Sequence, residues 1–306
     1  MMELLTMPMD VLAAEFGDKL KENISLARFT SARIGGPADF MMTANSSDEL
    51  AGIMRLIWQQ NLPYFILGGG SNVLISDKGV RGITVLNRAK AVRFENGETP
   101  RVWAESGVVF SNLAHRCASM GVSGLEWAAT VPGTVGGAVY GNAGAFDADI
   151  AGNLVWAEIL TESDRERWPV EKMKYGYRVS ALKRQRSRSL VLSAELSLKN
   201  ATKEEVSVKI KQFSDRRKST QPPGASMGSM FKNPPGDYAG RLIEAAGLKG
   251  TRIGNAEIST VHGNFFVNHG KAKASDIRAL IELAQRTVQG KFGITLELEI
   301  ELAGEW

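Results

Sequence analysis

Tyr64-Phe65-Ile66-Leu67-Gly68-Gly69-Gly70-Ser71-Asn72-Val73-Leu74-Ile75 decides the fold. A buried β-type run enters three consecutive glycines and leaves into a second apolar run, so the glycines join strand to strand and open no helix. A backbone without Cβ atoms can turn sharply and present successive N–H groups to an anion, and Ser71 and Asn72 add side-chain donors. A plain tight turn explains the same residues equally well. The spacing is not G-x-G-x-x-G, and no GxxxxGK[ST] occurs, which disfavours a Rossmann NAD site and excludes a P-loop.

Upstream, Leu50, Ile53, Met54, Ile57 and Trp58 follow the helical period, with Ser47 or Asp48 as cap and an end near Asn61-Leu62-Pro63. Downstream, Gly82-Ile83-Thr84-Val85-Leu86 is a further strand. The first segment, 1–88, therefore runs helix, strand, glycine turn, strand, strand.

The second segment, 89–201, opens with Val92-Arg93-Phe94 and Arg101-Val102-Trp103-Ala104, joined across Glu95-Asn96-Gly97, an Asn-Gly signal for a tight hairpin. A short helix over 111–120 follows, then a second knot, Pro132-Gly133-Thr134-Val135-Gly136-Gly137, with Asn142-Ala143-Gly144-Ala145 behind it. Strands are expected over 154–161 and 190–198. Taken alone, the second knot is an irregular connection between strands; two such knots in adjacent segments favour one extended diphosphate ligand that touches both.

The third segment, 202–306, begins with a helix from Thr202 whose apolar positions are Val206, Val208, Ile210 and Phe213. Helices over 238–246, stopped by Gly247, and over 275–289 follow. The end alternates strictly, with Ile294, Leu296, Leu298, Ile300 and Leu302 on one side and Thr295, Glu297, Glu299 and Glu301 on the other, which predicts a strand with one core face and one acidic face. The three segments make an α+β protein, with no repeat, heptad or low-complexity tract.

With 306 residues, 43% of them hydrophobic, the chain can bury a full core, and a formal charge of +4 suits an anionic small molecule better than nucleic acid. Cys117 is the single cysteine, which excludes an internal disulfide framework and a CxxC metal knuckle and fits a reducing compartment. Its expected role is packing. The start, Met1-Met2-Glu3 with Asp10, Glu15, Asp18 and Lys19, has no export-signal pattern, and no apolar run approaches membrane-spanning length, so a cytoplasmic protein is expected. Lys183-Arg184-Gln185-Arg186-Ser187-Arg188 is the strongest charge run and is expected at a solvated hairpin tip.

A third knot, Gly228-Ser229-Met230-Phe231-Lys232-Asn233-Pro234, offers a hydroxyl, a cation and an amide within five residues. Ser229 is either a turn serine or a proton donor near Lys232 and Asn233, and no histidine lies close to it in sequence. Arg178, beside Tyr177, is either a surface arginine or a bidentate clamp for an anionic group. Periodicity cannot rank Glu299 above Glu297 and Glu301.

The ordered set Ile34-Gly35-Gly36-Pro37-Ala38, Leu67 to Asn72, Pro132 to Ala138 with Asn142, Tyr177-Arg178-x-Ser180, Gly228 to Pro234 and Leu298-Glu299 resembles the UDP-N-acetylenolpyruvoylglucosamine reductase family over nearly the whole chain. The resemblance implies two α+β domains of the vanillyl-alcohol-oxidase FAD-binding type and a third domain closing over substrate. Carried over, Gly68, Gly69, Gly70, Ser71 and Asn72 bind the FAD diphosphate. Pro132, Gly133, Gly136, Gly137 and Asn142 line the flavin, and Arg178, Ser229 and Glu299 are catalytic. Tyr177, Lys218, Lys232 and Asn233 are weaker candidates for substrate contacts.

The implied activity is NADPH-dependent reduction of an enolpyruvyl UDP-sugar by a bacterial cytoplasmic enzyme of peptidoglycan synthesis. It holds non-covalent FAD, and no metal, nucleic acid, membrane insertion or obligate protein partner is expected. Thr130, Val131, Gly141 and Val179 depart from the family pattern, and the third segment is short enough for the type II form. The rival readings are an oxidase of the same fold, disfavoured by the Ser229 element, and a binding module that has lost catalysis, disfavoured because all three catalytic matches are present.

Overall fold

The computed structural model describes residues 16–185 and 187–306; Met1-Met2-Glu3, Asp10, Glu15 and Arg186 lie outside the described residues. In the first segment β1 (Lys21–Ser25), β2 (Pro37–Ala44), helix α1 (Ser47–Gln59), β3 (Tyr64–Leu67), β4 (Val73–Ile75) and β5 (Val80–Asn87) follow one another. The sheet order is β1-β2-β5-β3, with β1 antiparallel to β2 and both β2 and β3 parallel to β5. β3 is only half-buried up to Leu67, which is buried.

The cap of α1 is Ser46, one residue ahead of the expected Ser47 or Asp48, and its hydroxyl accepts from Glu49 N. Ser47 is occupied otherwise: its N–H donates to Glu105 Oε1 at 2.7 Å and its hydroxyl to Leu192 O at 2.8 Å, which anchors the helix start to the second segment. The apolar face of α1 then packs with Ile83 and Val85 on one side and with Leu160, Leu190 and Leu192 on the other. One amphipathic helix thus joins two sheets.

The second segment contains β6 (Val92–Glu95), β7 (Arg101–Glu105), α2 (Phe110–Ser119), α3 (Val135–Gly141), β8 (Leu154–Thr161), β9 (Arg165–Pro169) and β10 (Ser189–Ser197). The strands form one antiparallel sheet in the order β9-β8-β10-β7-β6. The β6–β7 hairpin exists, but residues 96–100 connect it, so Asn96-Gly97 is not a two-residue turn. The Pro132–Gly137 region is not irregular throughout: Thr134 caps α3, and its hydroxyl accepts from Gly137 N.

Helix α4 (Lys203–Thr220) starts at a capping box formed by Thr202 and Glu205. Val206 and Ile210 enter the core built around Phe110, Cys117, Trp127 and Val139, so this helix packs on the second segment although the chain order puts it at the head of the third. Val208 is 57% exposed because two residues of helix rotate it away from Val206. Cys117 is buried in that core, and burial pushes its thiol up to about 12.

The remaining elements are α5 (Ala239–Ala245), β11 (Arg252–Ile253), β12 (Ala256–Ile258), β13 (Phe266–Asn268), α6 (Ala274–Phe292) and β14 (Glu301–Ala303). Their core contains Met230, Phe231, Leu242, Phe266, Ile277, Leu280 and Val288, and it extends to Ile34 and Leu74 of the first segment. α6 outruns its expected end to Phe292, where Gly293 closes it at φ 70.

The expected long final strand is broken. Residues 297–299 run against 230–232, with Lys232 N donating to Glu297 O and Glu299 N to Met230 O, both at 2.9 Å. The backbone bends at 299–300, and β14 then pairs in parallel with β4, Glu301 opposite Val73. Strict alternation fails because one segment serves two partners: Leu302 is 41% exposed, and Glu299 turns inward. β4 leaves the β3–β5 sheet for the same reason.

The charge run is also corrected. Residues Ala181–Gln185 are helical, Lys183 Nζ lies 2.7 Å from Glu301 Oε1, and Arg188 reaches Glu162 and Trp58 O. A short helix bearing Lys183 and Arg184, with Arg188 beyond its end, replaces the solvated hairpin tip among the described residues. Among the described residues no helix is long and apolar enough to cross a membrane.

Candidate active site

The two glycine knots touch. A Cβ built on Gly69 would lie 2.8 Å from Gly133 Cα, and one on Gly133 would lie 2.8 Å from Ser71 Oγ, so each knot lacks side chains partly because the other occupies the space. Gly68 and Gly136 are likewise filled by protein, meeting Thr134 Oγ1 at 2.7 Å and Ser106 Cβ at 2.8 Å. Gly70 meets Phe29 O. Gly137 differs: it is exposed, and a Cβ there would come no nearer than 3.7 Å to Thr134 Oγ1. Close packing explains most of these glycines and leaves one unexplained by protein.

Around the junction, the N–H groups of Gly69, Gly70, Ser71, Asn72, Gly133 and Thr134 donate to no acceptor among the described residues. Such a ring of main-chain donors beside an open glycine suits a phosphorylated cofactor, and these residues fit the diphosphate and flavin of FAD. Pro132 is exposed at its edge. Asn142 is not at the surface: at φ 48 it ends α3, its amide donates to Asp149 Oδ2 at 3.0 Å and Gly176 O at 3.1 Å, and its oxygen accepts from Ala151 N at 3.1 Å. Its side chain holds the neighbouring turn and has no amide hydrogen left for a cofactor.

That turn carries Arg178. Gly176 and Val179 exchange backbone hydrogen bonds across Tyr177 and Arg178, and Arg178 sits at φ 57, left-handed backbone that costs a non-glycine residue on the order of 1–3 kcal/mol. The surroundings hold it there. Tyr175 Oη donates to Val139 O at 2.8 Å and Ser180 Oγ to Tyr140 O at 2.6 Å, which fastens both flanks to the end of α3. Arg178 Nε donates to Glu299 Oε1 at 2.7 Å and Nη2 to Gly144 O at 2.8 Å, while its guanidinium lies 5.5 Å from the Tyr177 ring centroid. Charge-assisted bonds of about 1.5–3 kcal/mol each outweigh the strain, and Nη1 keeps no acceptor among the described residues.

The structure ranks the three glutamates. Glu297 and Glu301 side chains are 73% and 50% exposed, Glu299 15%, and each has its own cation: Lys232 at 3.2 Å, Lys183 at 2.7 Å and Arg178 at 2.7 Å respectively. Burial raises the pKa of Glu299 above its ordinary value, against the pull of Arg178, Lys183 and Lys232. The glycine turn reaches it as well, since Asn72 Nδ2 donates to Glu299 O at 3.2 Å.

Ser229 lies one residue from the Met230 carbonyl that accepts from Glu299 N, is half-buried, and has a hydroxyl without a partner among the described residues. Its strand is fixed by Asn264, which accepts from Phe231 N at 2.9 Å and donates to Phe231 O at 2.8 Å. Asn233 accepts from Ala239 N at 3.1 Å at the start of α5, and its own N–H meets Tyr177 Oη at 3.4 Å. Arg178, Ser229, Glu299, Tyr177, Lys232 and Asn233 therefore converge. Lys218 does not join them: it lines a groove between α2 and α4 with His115, Ser119 and Asp215. Asn264 and Tyr175 escaped the sequence reading, since no local pattern marks a residue that acts by fixing another backbone.

The model of the UDP-N-acetylenolpyruvoylglucosamine reductase C-terminal domain matches residues 219–303, and an FAD-binding domain model matches 38–166. A UDP-N-acetylenolpyruvoylglucosamine reductase of Chloroflexus aggregans is 44% identical over 92% of this chain and 97% of its own length, and one of Rubrobacter xylanophilus 41% identical over 96% of each. The crystal structure of the reductase from Thermus caldophilus superposes with a TM-score of 0.78 at 35% identity, covering 93% of this chain and 99% of that one. On the whole of this likeness, the chain belongs to the UDP-N-acetylenolpyruvoylglucosamine reductase family, FAD-dependent oxidoreductases of α+β fold.

Proposed function

We propose that the protein reduces UDP-N-acetylglucosamine enolpyruvate to UDP-N-acetylmuramate with NADPH, in bacterial peptidoglycan precursor synthesis. The observation that carries the reading is the half-buried Arg178–Glu299 pair, 2.7 Å apart and hydrogen-bonded through Glu299 N to Met230 O, next to Ser229, standing beside the joined glycine knots. FAD, when bound, relays hydride from NADPH to C3 of the enol ether. Arg178 turns its free Nη1 to the substrate carboxylate and stabilises the negative charge that spreads from C2 into it. Burial raises the pKa of Glu299, and an arriving carboxylate raises it further, so that Glu299 takes up a proton as substrate binds and donates a hydrogen bond to that anion. Ser229 delivers the proton to C2, which leaves NADP+ and the lactyl ether as products.

Tyr177, Lys232 and Asn233 border the same space and take the polar parts of the sugar nucleotide. The single buried cysteine, Cys117, fits a reducing cytoplasm, where NADPH is held. The experiment is turnover of the flavin-loaded protein with NADPH and the enolpyruvyl sugar nucleotide, read by NADPH absorbance and product mass. The expected outcome is one lactyl ether per NADPH consumed; NADPH oxidation that requires oxygen and yields no lactyl ether would move the protein to the oxidase reading.

A further inference from the structure

We propose that Arg88 supplies the positive charge that neutralises the cofactor diphosphate in the 69–72 turn; this rests on the FAD reading above. β3 and β5 run parallel with Leu67 opposite Leu86, so Arg88 leaves the sheet at the same end as the glycine turn. Its Nη1 donates to Gly68 O at 3.0 Å and Asn87 O at 3.3 Å. Asn87 is itself fixed, donating to Ser106 Oγ at 2.8 Å and accepting from Ala89 N at 3.1 Å. Ser106 is the residue against which Gly136 packs. Arg88 thus stands on the support shared by both knots.

At that place beside the turn it has no counter-charge among the described residues. Arg81 and Arg101 pair with Asp39 at 2.7 Å and Glu195 at 2.9 Å, whereas Arg88 has no carboxylate within ion-pair distance among the described residues. It is half-buried, and burial lowers its pKa with no charged group opposing that effect. A desolvated cation is costly until a counter-charge arrives. The turn beside it offers main-chain dipoles but no formal positive charge, and a diphosphate brings two negative charges. Arg88 and the diphosphate each supply what the other lacks.

The test is titration of the full chain, freed of flavin, with FAD and separately with riboflavin, which lacks phosphate, following flavin fluorescence. R88A and R88Q should weaken FAD by roughly 10- to 100-fold, the range of a charge-assisted contact, with R88K losing less. Riboflavin affinity should change by less than about threefold, and the salt dependence of FAD binding should flatten in R88A and R88Q. Equal loss of FAD and riboflavin would mean that the guanidinium only shapes the turn, and unchanged FAD affinity would remove it from the site; either overturns the proposal. Failure of the unsubstituted chain to bind FAD would instead overturn the cofactor reading beneath it. If R88A does not fold, R88K and R88Q carry the comparison.

Discussion

Arg178 Nε and Glu299 Oε1 lie 2.7 Å apart although 121 positions separate them in the chain. The turn clasped to α3 brings one, and the bend where the C-terminal segment changes strand partners brings the other. A lysine could not hold both Glu299 and Gly144 O, since it lacks the guanidinium fork. R178K should therefore lower kcat by about 10²–10³, the usual cost of losing a preorganised charge contact. Steady-state kinetics with both substrates saturating measures it.

Glu299 yields a second expectation. With its pKa raised by burial, the arrival of the anionic substrate should draw a proton onto it at pH values above the ordinary 4.5. Calorimetry of substrate binding to the oxidised enzyme, in buffers of different ionisation enthalpy, should show net proton uptake. E299Q should show none.

Gly136 and Gly137 are neighbours in α3 with opposite reasons for being glycine. A Cβ on Gly136 meets Ser106 at 2.8 Å, while one on Gly137 meets nothing closer than 3.7 Å. G136A should lower the melting temperature. G137A should raise it slightly, because alanine in a helix is worth about 0.5–1 kcal/mol over glycine, yet weaken FAD binding. Thermal melts paired with flavin titration separate the two effects.

Asp77 reaches from the first segment to cap α6, accepting from Ala274 N at 2.7 Å and Ser275 N at 2.9 Å. Burial pushes its pKa up, but the hydrogen bonds from Ser275 and Ala274 outweigh that and leave it below the ordinary 3.8. A lowered acid pKa adds stability above its unfolded value, and this is lost as pH falls through the folded one. D77A should thus cost about 1 kcal/mol, roughly 2 °C in melting temperature near pH 7, and the difference should shrink as pH drops below 3.8. Melting curves across that range check the sign.

Much of this was legible in the sequence. Apolar periodicity placed α1 and α6, the latter short of its true end by three residues, and the Gly68-Gly69-Gly70 turn announced a strand-to-strand connection. What local pattern could not carry was partnership. Nothing in Ile294 to Leu302 tells that 297–299 pairs with one strand and 301–303 with another, so alternation made Glu299 look as solvated as Glu297. Nor does sequence tell that the two knots touch, so that Gly68, Gly69 and Gly133 lack side chains partly because the other knot occupies the space, and Gly136 because Ser106 does. Asn142, by its αL conformation and three hydrogen bonds, holds the Arg178 turn.

The most direct measurement resolves the two half-reactions by anaerobic stopped flow in the unsubstituted enzyme and in S229A, following flavin absorbance. NADPH should reduce the flavin at nearly equal rates in both, and UDP-N-acetylglucosamine enolpyruvate should reoxidise it promptly in the first but roughly 10²–10⁴-fold more slowly in S229A, the contribution of a positioned acid. Equal slowing of both halves, or reoxidation by substrate unchanged in S229A, would contradict the assignment of Ser229 as the proton donor and with it the reading of this site.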